Sequence, residues 1–342
     1  MTEKKKIAMV GYYHYGNYGD ELFLEVFEKY LGDYEFVFLQ DTLKRPFYNG
    51  GIEGLKEKVA DVDAILIGGG DLVIPFYWTD QYFEEPFLSK PIFMHGLGVP
   101  TWGGQDPKVV ARLKTFFQSD SIKHIHVRDI ESQRWIEHHL APKVEIARSP
   151  DIICALDLPT VQRPEDAPVF GIITRQQRPG EIRWDNLTAL CEKAVSLGYR
   201  IRHIVAASGI IGKEDLEALK EFPFEADEYF YSEDIREITA AIGECSVLAS
   251  MKFHGLVVAT MFGIPTIGLI TTDKFTNFYK MIEREELSGH HRHENLPDRL
   301  QKYMPRIPYF TRHAIREKAD TQLRKLARTI RETLEERETA LV

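Results

Sequence analysis

Cysteine is scarce in this chain. Cys154, Cys191 and Cys245 are the only three in 342 residues, an odd number set far apart. That spacing excludes a disulfide framework and a cysteine-based zinc site, and it suits a reducing compartment. Long apolar runs are missing as well: no stretch approaches the roughly 18 residues of a membrane-spanning helix. The opening MTEKKKIAMVGYY is basic, but its apolar run is short and breaks at Gly11, unlike a secretory leader. Positive charge is in deficit. The formal net charge is −9 and the pI about 5.8, so nucleic acid is not expected as the main ligand. There is no GxSxG, no Walker A lysine, no zincin spacing and no GxGxxG in the dinucleotide register. Repeats and low-complexity tracts are absent too.

What is present is ordinary globular material, 44% hydrophobic and 28% charged, in a length that favours two domains. Short apolar runs alternate with amphipathic segments. KIAMVGYY, EFVFLQ, DAILIGGG, PIFMHGLG, HIHVRD and VEIAR read as strands, with helical spacing in segments such as ELFLEVFEKYL. Continuous apolar strands separated by helices imply a parallel sheet covered on both faces. PTVQRPEDAP, from Pro159 to Pro168, is the linker candidate. The pattern then restarts with strands in VFGIITRQQ, RIRHIVAAS, SVLASMK and PTIGLITT. Helices are expected over Asp185–Ser196, Lys213–Glu221, Asp234–Gly243 and His254–Phe262. A charged amphipathic helix from about Arg312 to Glu338 closes the chain. The expected division is therefore residues 1–160, 168–310 and a C-terminal helix over 311–342, with a cleft between two doubly wound domains.

In open parallel sheets, ligands bind beyond the carboxyl ends of the strands. GYYHYGNYGDE follows the first strand and carries Asn17, Asp20 and Glu21. Its bland reading is a tight turn with Asp20 as a helix cap. Gly68, Gly69, Gly70 and Asp71 follow the third strand. Their backbone could face an anion or a sugar, or could serve close packing. HGLGVPTWGG brings His95 and the sugar-stacking candidate Trp102. Arg128 follows the apolar run in HIHVRD, with Ser132 nearby. It suits a two-pronged grip on a phosphate or carboxylate, or a salt bridge with Asp129 or between the domains. The second half adds Arg175 and Arg178 in TRQQRPG, Lys252 and His254 in SMKFHG, and Lys274 in TTDKF. Cations at strand ends in an acidic protein point to a small, highly anionic ligand. GHHRH, with His290, His291 and His293, reads as a solvated loop because no ligand spacing supports a metal there.

These pieces together resemble the polysaccharide pyruvyl transferases: GYYHYGNYGDE, LIGGGD, HGLGVP, VRDIES, SPDI, SMKFHG with VVATMFGIPTIGL, and TTDKFTNF, in the family's order from about Lys6 to Lys280. The resemblance implies a GT-B-like fold of two Rossmann-like domains, the N-terminal one on the acceptor side and the C-terminal one on the donor side. It implies transfer of an enolpyruvyl unit from phosphoenolpyruvate, as co-substrate and without a further cofactor, to a sugar or oligosaccharide, free or lipid-linked. It also implies a cytoplasmic enzyme of polysaccharide, exopolysaccharide or cell-wall biosynthesis, at the inner face of the membrane in peripheral association. His254 and Asp20 become the catalytic candidates, Arg128, Lys252, Lys274 and Arg175 the donor ligands. Asn17, Gly68, Gly69, Gly70, Asp71, His95 and Trp102 become the acceptor ligands, and no metal is called for. One departure stands out: Lys252–Phe253 replaces the family's usual arginine and leucine, and lysine binds an anion as a point charge without a fork. The alternatives are a nucleotide-sugar glycosyltransferase of the same architecture and a non-catalytic glycan-binding relative.

Overall fold

The computed structural model describes residues 4–39, 51–164, 167–176 and 181–341. The chain forms two compact units. The first comprises Met1–Tyr13, Phe23–Ala155 and Glu317–Val342, and the second His14–Leu22 and Leu156–Arg316. The short segment His14–Leu22, which sequence order would assign to the first unit, thus belongs with the second. Part of the expected linker, residues 165–166, lies outside the described residues, as does Arg178.

In the first unit the strands are β1 (Lys6–Val10), β2 (Glu35–Phe38), β3 (Ala64–Gly70), β4 (Ile92–Leu97), β5 (Ile122–Val127) and β6 (Ile146–Arg148). They make one parallel sheet in the order β2-β1-β3-β4-β5-β6. Ile7 lies opposite Ala64 and Ile65 opposite Ile92. Every residue of β3 is buried, as a strand covered on both faces requires. Helices α1 (Tyr18–Leu31), α2 (Leu55–Ala60), α3 (Pro107–Phe117) and α4 (Ile130–His139) connect them. The α3 start is written in the sequence: the Asp106 carboxylate accepts the Lys108 N–H at 2.8 Å and Pro107 occupies the first turn. Asp129 caps α4 in the same way through the Ser132 N–H, at 2.8 Å.

The second unit holds β7 (Val169–Ile173), β8 (Arg200–Ile204), β9 (Glu228–Phe230), β10 (Val247–Ser250) and β11 (Thr266–Gly268), parallel in the order β11-β10-β7-β8-β9. Its helices are α5 (Trp184–Ser196), α6 (Gly209–Leu219), α7 (Ile235–Gly243), α8 (Phe253–Met261) and α9 (Asp273–Met281). The edge strand β9 is too short and too exposed to show an apolar run, which is why its sequence carries no signal. From β7 the chain adds β8 and β9 on one side and then returns to add β10 and β11 on the other, so the order of winding reverses between β7 and β10. That is the topological switch point, where loops on either side diverge and leave room for a ligand. The corresponding point in the first unit lies between β1 and β3.

Helix α10 (Tyr309–Leu341) is longer than its expected span at both ends. Ile315, Ala319, Leu323, Leu326, Ile330 and Leu334 are buried at spacings of three and four, the stripe of an amphipathic helix. Within the first unit it is fastened by Tyr30 to Asp320 and by Lys5 to Glu338.

Candidate active site

The corner between β10 and α8 is built by Ser250. Its hydroxyl accepts the Lys252 N–H at 3.0 Å and donates to the Lys252 carbonyl at 2.7 Å, fixing the chain as it leaves the sheet. Lys252 occupies the N-cap of α8 in an extended conformation, with its side chain 11% exposed. The ammonium lies 2.5 Å from Asp215 Oδ2 and donates to the Ala206 carbonyl at 2.9 Å. Asp215 stands on α6, 4% exposed, and its other oxygen accepts the Gln176 N–H at 2.7 Å. One carboxylate therefore ties the β10 corner to the backbone that follows β7. Burial pushes the Lys252 pKa down, Asp215 and Asp20 oppose that, and Arg175 adds to it. Arg175 itself stands exposed just past the end of β7. The two cations flank the switch point of this sheet.

His14–Leu22 completes this corner. Gly16, at φ +85°, lies against the Ser208 backbone, where any side chain would collide. Its carbonyl accepts the Ser208 N–H at 2.9 Å, and Asn17 forms an isolated antiparallel bridge with Ala207. The Asn17 side chain accepts the Gly19 N–H at 3.3 Å and its carbonyl accepts the Glu21 N–H at 3.0 Å, so Asn17 starts α1. Gly19 faces the His254 imidazole so closely that a Cβ there would overlap Nδ1. Asp20 is buried in the first turn. Glu21 accepts the Gly16 N–H at 3.1 Å, and burial raises its pKa. His254 is half-buried in the first turn of α8 and meets Phe253 edge to face at 5.2 Å. Lys274, in the first turn of α9, places its ammonium 5.8 Å from the Phe253 ring centre. Lys252, Arg175, His254, Asp20, Asn17 and Lys274 therefore all fall in the second unit.

The remaining candidates fall in the first unit. Arg128 is 3% exposed and its charge is already met there. It pairs with Asp71, and Asp151 and Asp129 lie 3.8 and 3.9 Å away. Gly98 leaves room for the pair, since a Cβ there would stand 2.5 Å from both partners. The guanidinium thus cross-links the loops after β3, β5 and β6, with Asp71 rather than Asp129 as its nearest partner. Gly68, Gly69 and Gly70 are wholly buried. A Cβ on Gly68 would press on Phe27 at 2.9 Å, and one on Gly69, at φ +73°, would overlap Phe23. Their visible role is to let α1 approach the sheet. His95 is also fully buried, stacked on His126 with ring centres 4.1 Å apart and on His124 at 5.2 Å. His126 Nδ1 accepts the Gly96 N–H, so its Nε2 carries the proton and donates to the Ser149 hydroxyl at 2.9 Å. Burial lowers all three: His95 well below its usual value, His124 to about 4 and His126 to about 3. They are neutral members of the core. Trp102 is the opposite case, 72% exposed and packed on Phe76 at 4.9 Å.

Sequence reasoning missed Asp215. Its one signal is that Gly212, Asp215 and Leu219 share a face of α6. The expectation of a solvated loop fails at His291. His291 is 4% exposed, and its Nδ1 accepts the Arg183 N–H at 3.2 Å. Among the described residues, no group of three or more histidines, cysteines or acids is arranged to hold a metal ion.

The fold is shared with solved structures at low identity. A Listeria monocytogenes protein assigned as a UDP-N-acetylglucosamine 2-epimerase superposes with a TM-score of 0.57 at 13% identity, covering 96% of this chain and 91% of its own. S. aureus MnaA, solved with UDP, gives 0.54 at 11%, with 86% and 87% covered. UDP-N-acetylglucosamine 2-epimerase from Rickettsia bellii gives 0.53 at 10%, with 97% and 98% covered. These define the class: two Rossmann-like units in a GT-B-like α/β fold with a C-terminal helix. Comparison with curated protein sequences gives no match. The profile of the polysaccharide pyruvyl transferase family, however, matches residues 17–273, and the chain belongs to that family. No described helix is long and apolar enough to cross a membrane.

Proposed function

We propose that the protein transfers the enolpyruvyl unit of phosphoenolpyruvate to a sugar of a polysaccharide or its precursor, closing a cyclic pyruvate ketal. The observation that carries the reading is the corner around Lys252. An ammonium has three N–H donors. Asp215 and the Ala206 carbonyl take two among the described residues, and the third is left for an anionic group of the donor. Arg175, across the switch point, supplies a second cation for a ligand that carries both a phosphate and a carboxylate. His254 stands in the first turn of the same helix and is the proton donor of the scheme.

His254 gives a proton to C3 of the donor, and positive charge develops at C2. A sugar hydroxyl attacks C2 and passes its proton to a base, for which buried Asp20 is the candidate. A second hydroxyl of the same sugar then forms its bond to C2 as the C2–O bond to phosphate breaks. The second hydroxyl proton leaves with inorganic phosphate. The cations neutralise the donor in the ground state and the departing phosphate in the transition state. Trp102, open to solvent in the first unit, offers an apolar ring face of the kind on which sugars pack.

Incubation with phosphoenolpyruvate and a panel of oligosaccharides tests the reading. Phosphate release coupled to a mass gain on the glycan is expected, with thermal stabilisation by phosphoenolpyruvate. Stabilisation by uridine diphosphate, with sugar transfer and no phosphate release from phosphoenolpyruvate, would replace it by the nucleotide-sugar reading.

A further inference from the structure

The second unit carries a surface that the chemistry above does not use. Tyr303 is 77% exposed, Phe310 74% and Tyr309 69%, an unusual openness for three large apolar side chains within eight residues. They are presented stiffly. Leu300 and Ile307 are buried and pin the segment from beneath, while Pro305 and Pro308 restrict its backbone. The segment itself carries charge of one sign. Arg299, Lys302, Arg306, Arg312 and Arg316 fall between residues 299 and 316, with no aspartate or glutamate among them, in a chain of net charge −9.

The arginines converge on the carboxyl end of α8. Arg306 donates to the Phe262 and Gly263 carbonyls at 3.2 and 3.4 Å, and Arg312 to Met261 and Ile307 at 3.1 and 3.3 Å. Arg163 joins them on the Phe262 carbonyl at 3.3 Å. A helix end offers only about half a negative charge. Among the described residues, no carboxylate pairs with Arg163, Arg306 or Arg312. The cluster therefore keeps surplus positive charge; burial first, and then repulsion from Arg306, lowers the pKa of Arg163 and of Arg312. Arg312 also lies 5.7 Å from the Tyr309 ring centre, so the cations and the aromatics are one surface.

We infer that this surface docks the protein on an anionic phospholipid bilayer, with Tyr303, Tyr309 and Phe310 entering the headgroup layer and Lys302 and Arg306 meeting lipid phosphates. Tyrosine and phenylalanine flanked by basic residues suit the interface, where one end of the ring is wet and the other apolar. A long polyanion in solution would meet the repulsion of the acidic remainder of the chain, whereas a planar headgroup layer meets the basic patch alone.

Vesicle flotation tests this with the full chain, without donor or acceptor, so its outcome is independent of pyruvyl transfer. Wild type should float with vesicles of phosphatidylcholine and phosphatidylglycerol, should not float with phosphatidylcholine alone, and should be released by high salt. Each basic residue at such a surface is worth about fivefold in partitioning. Lys302→Glu with Arg306→Glu should therefore weaken flotation by about 25-fold or more. Tyr309→Ala with Phe310→Ala should weaken it by roughly tenfold or more, with salt sensitivity retained. Val195→Ser, at an apolar side chain exposed on α5, should change nothing. Three results would overturn the inference. One is equal or absent flotation on both vesicle types. Another is stabilisation by free inorganic phosphate that Arg306→Glu abolishes, without flotation. The third is a concentration-dependent dimer that Phe310→Asp dissociates, since the surface would then bind a second copy.

Discussion

Replacing Asp215 by asparagine keeps the shape of the site and removes one charge. The carboxamide oxygen still accepts the Gln176 N–H, so the loop after β7 stays in place. Lys252 loses its counter-ion in a setting where its side chain is only 11% exposed. Breaking a buried pair from one side costs about 3–5 kcal/mol when the remaining charge is held, and less when that group can neutralise itself. Lysine can do so. Its pKa is already lowered by burial, and Asp215 is the largest influence holding it up, so Asp215→Asn lowers it further. The neutral amine then dominates at lower pH than in the wild type. Where the amine is neutral, donor binding loses one charge-assisted contact, about 1.5–3 kcal/mol, or roughly 12- to 160-fold in the apparent donor constant. Steady-state phosphate release between pH 6 and 9 reads both effects. The donor constant should rise, and the alkaline limb of its pH profile should move to lower pH. Lys252→Met combined with Asp215→Asn should regain thermal stability lost in the single variant without regaining donor affinity. A single variant with unchanged donor constant and an unmoved alkaline limb would refute the role given to the pair.

His254→Ala should lower turnover by about 100- to 10,000-fold, the usual worth of a positioned proton donor, while the melting temperature holds. A large drop in melting temperature with near-normal turnover would make His254 a structural residue. Gly19→Ala should also cut turnover, because its Cβ must displace the His254 ring; crystallography or imidazole NMR of a fully active variant would show that the contact does not matter. Acid should destabilise the first unit through its histidine stack. The folded values are depressed from the unfolded 6.5, His124 to about 4 and His126 to about 3. Their contribution is thus present above pH 6.5 and is lost as pH falls toward 4. At pH 5 one such group costs about 2 kcal/mol. Urea unfolding of His124→Gln, which cannot protonate in this range, should show a pH 7.5-to-5 difference smaller by that amount; an unchanged difference would exclude the stack as its source.

The two parallel sheets were legible because their strands are buried on both faces and read as unbroken apolar runs, as AILIGGG does in β3. The strand-end rule also brought Lys252, His254 and Arg175 to notice, because a cation stands out where such a run stops. Arg128 stands out for the same reason, yet its partners Asp71 and Asp151 are remote in sequence, and only the fold shows that its charge is met. Asp215 lay hidden because KEDLEALK reads as a solvated helix. The His95–His124–His126 stack was hidden differently: alternation in HIHV predicts which residues share a face but not that rings from neighbouring strands pile up on it. The assignment of His14–Leu22 to the second unit could not be read at all. Nothing in GYYHYGNYGDE names Ser208, Ala207 or His254, nearly two hundred residues and more away.

That assignment bears on how the protein can be made and divided. The chain passes between its units at Tyr13–His14, Leu22–Phe23, Ala155–Leu156 and Arg316–Glu317. A gene cut at the linker near residue 156 would therefore yield two incomplete halves. The N-terminal piece would lack the last helix that Tyr30 and Lys5 fasten, and the C-terminal piece would lack Gly19 against the His254 ring. On the ribosome, residues 14–22 leave early and wait until β10 and α8 exist before they find their place. The first unit in turn waits for the part of α10 that follows Arg316. Neither unit is therefore contiguous in the chain, and the corner around Lys252 is finished only once α6, β10 and α8 have been made.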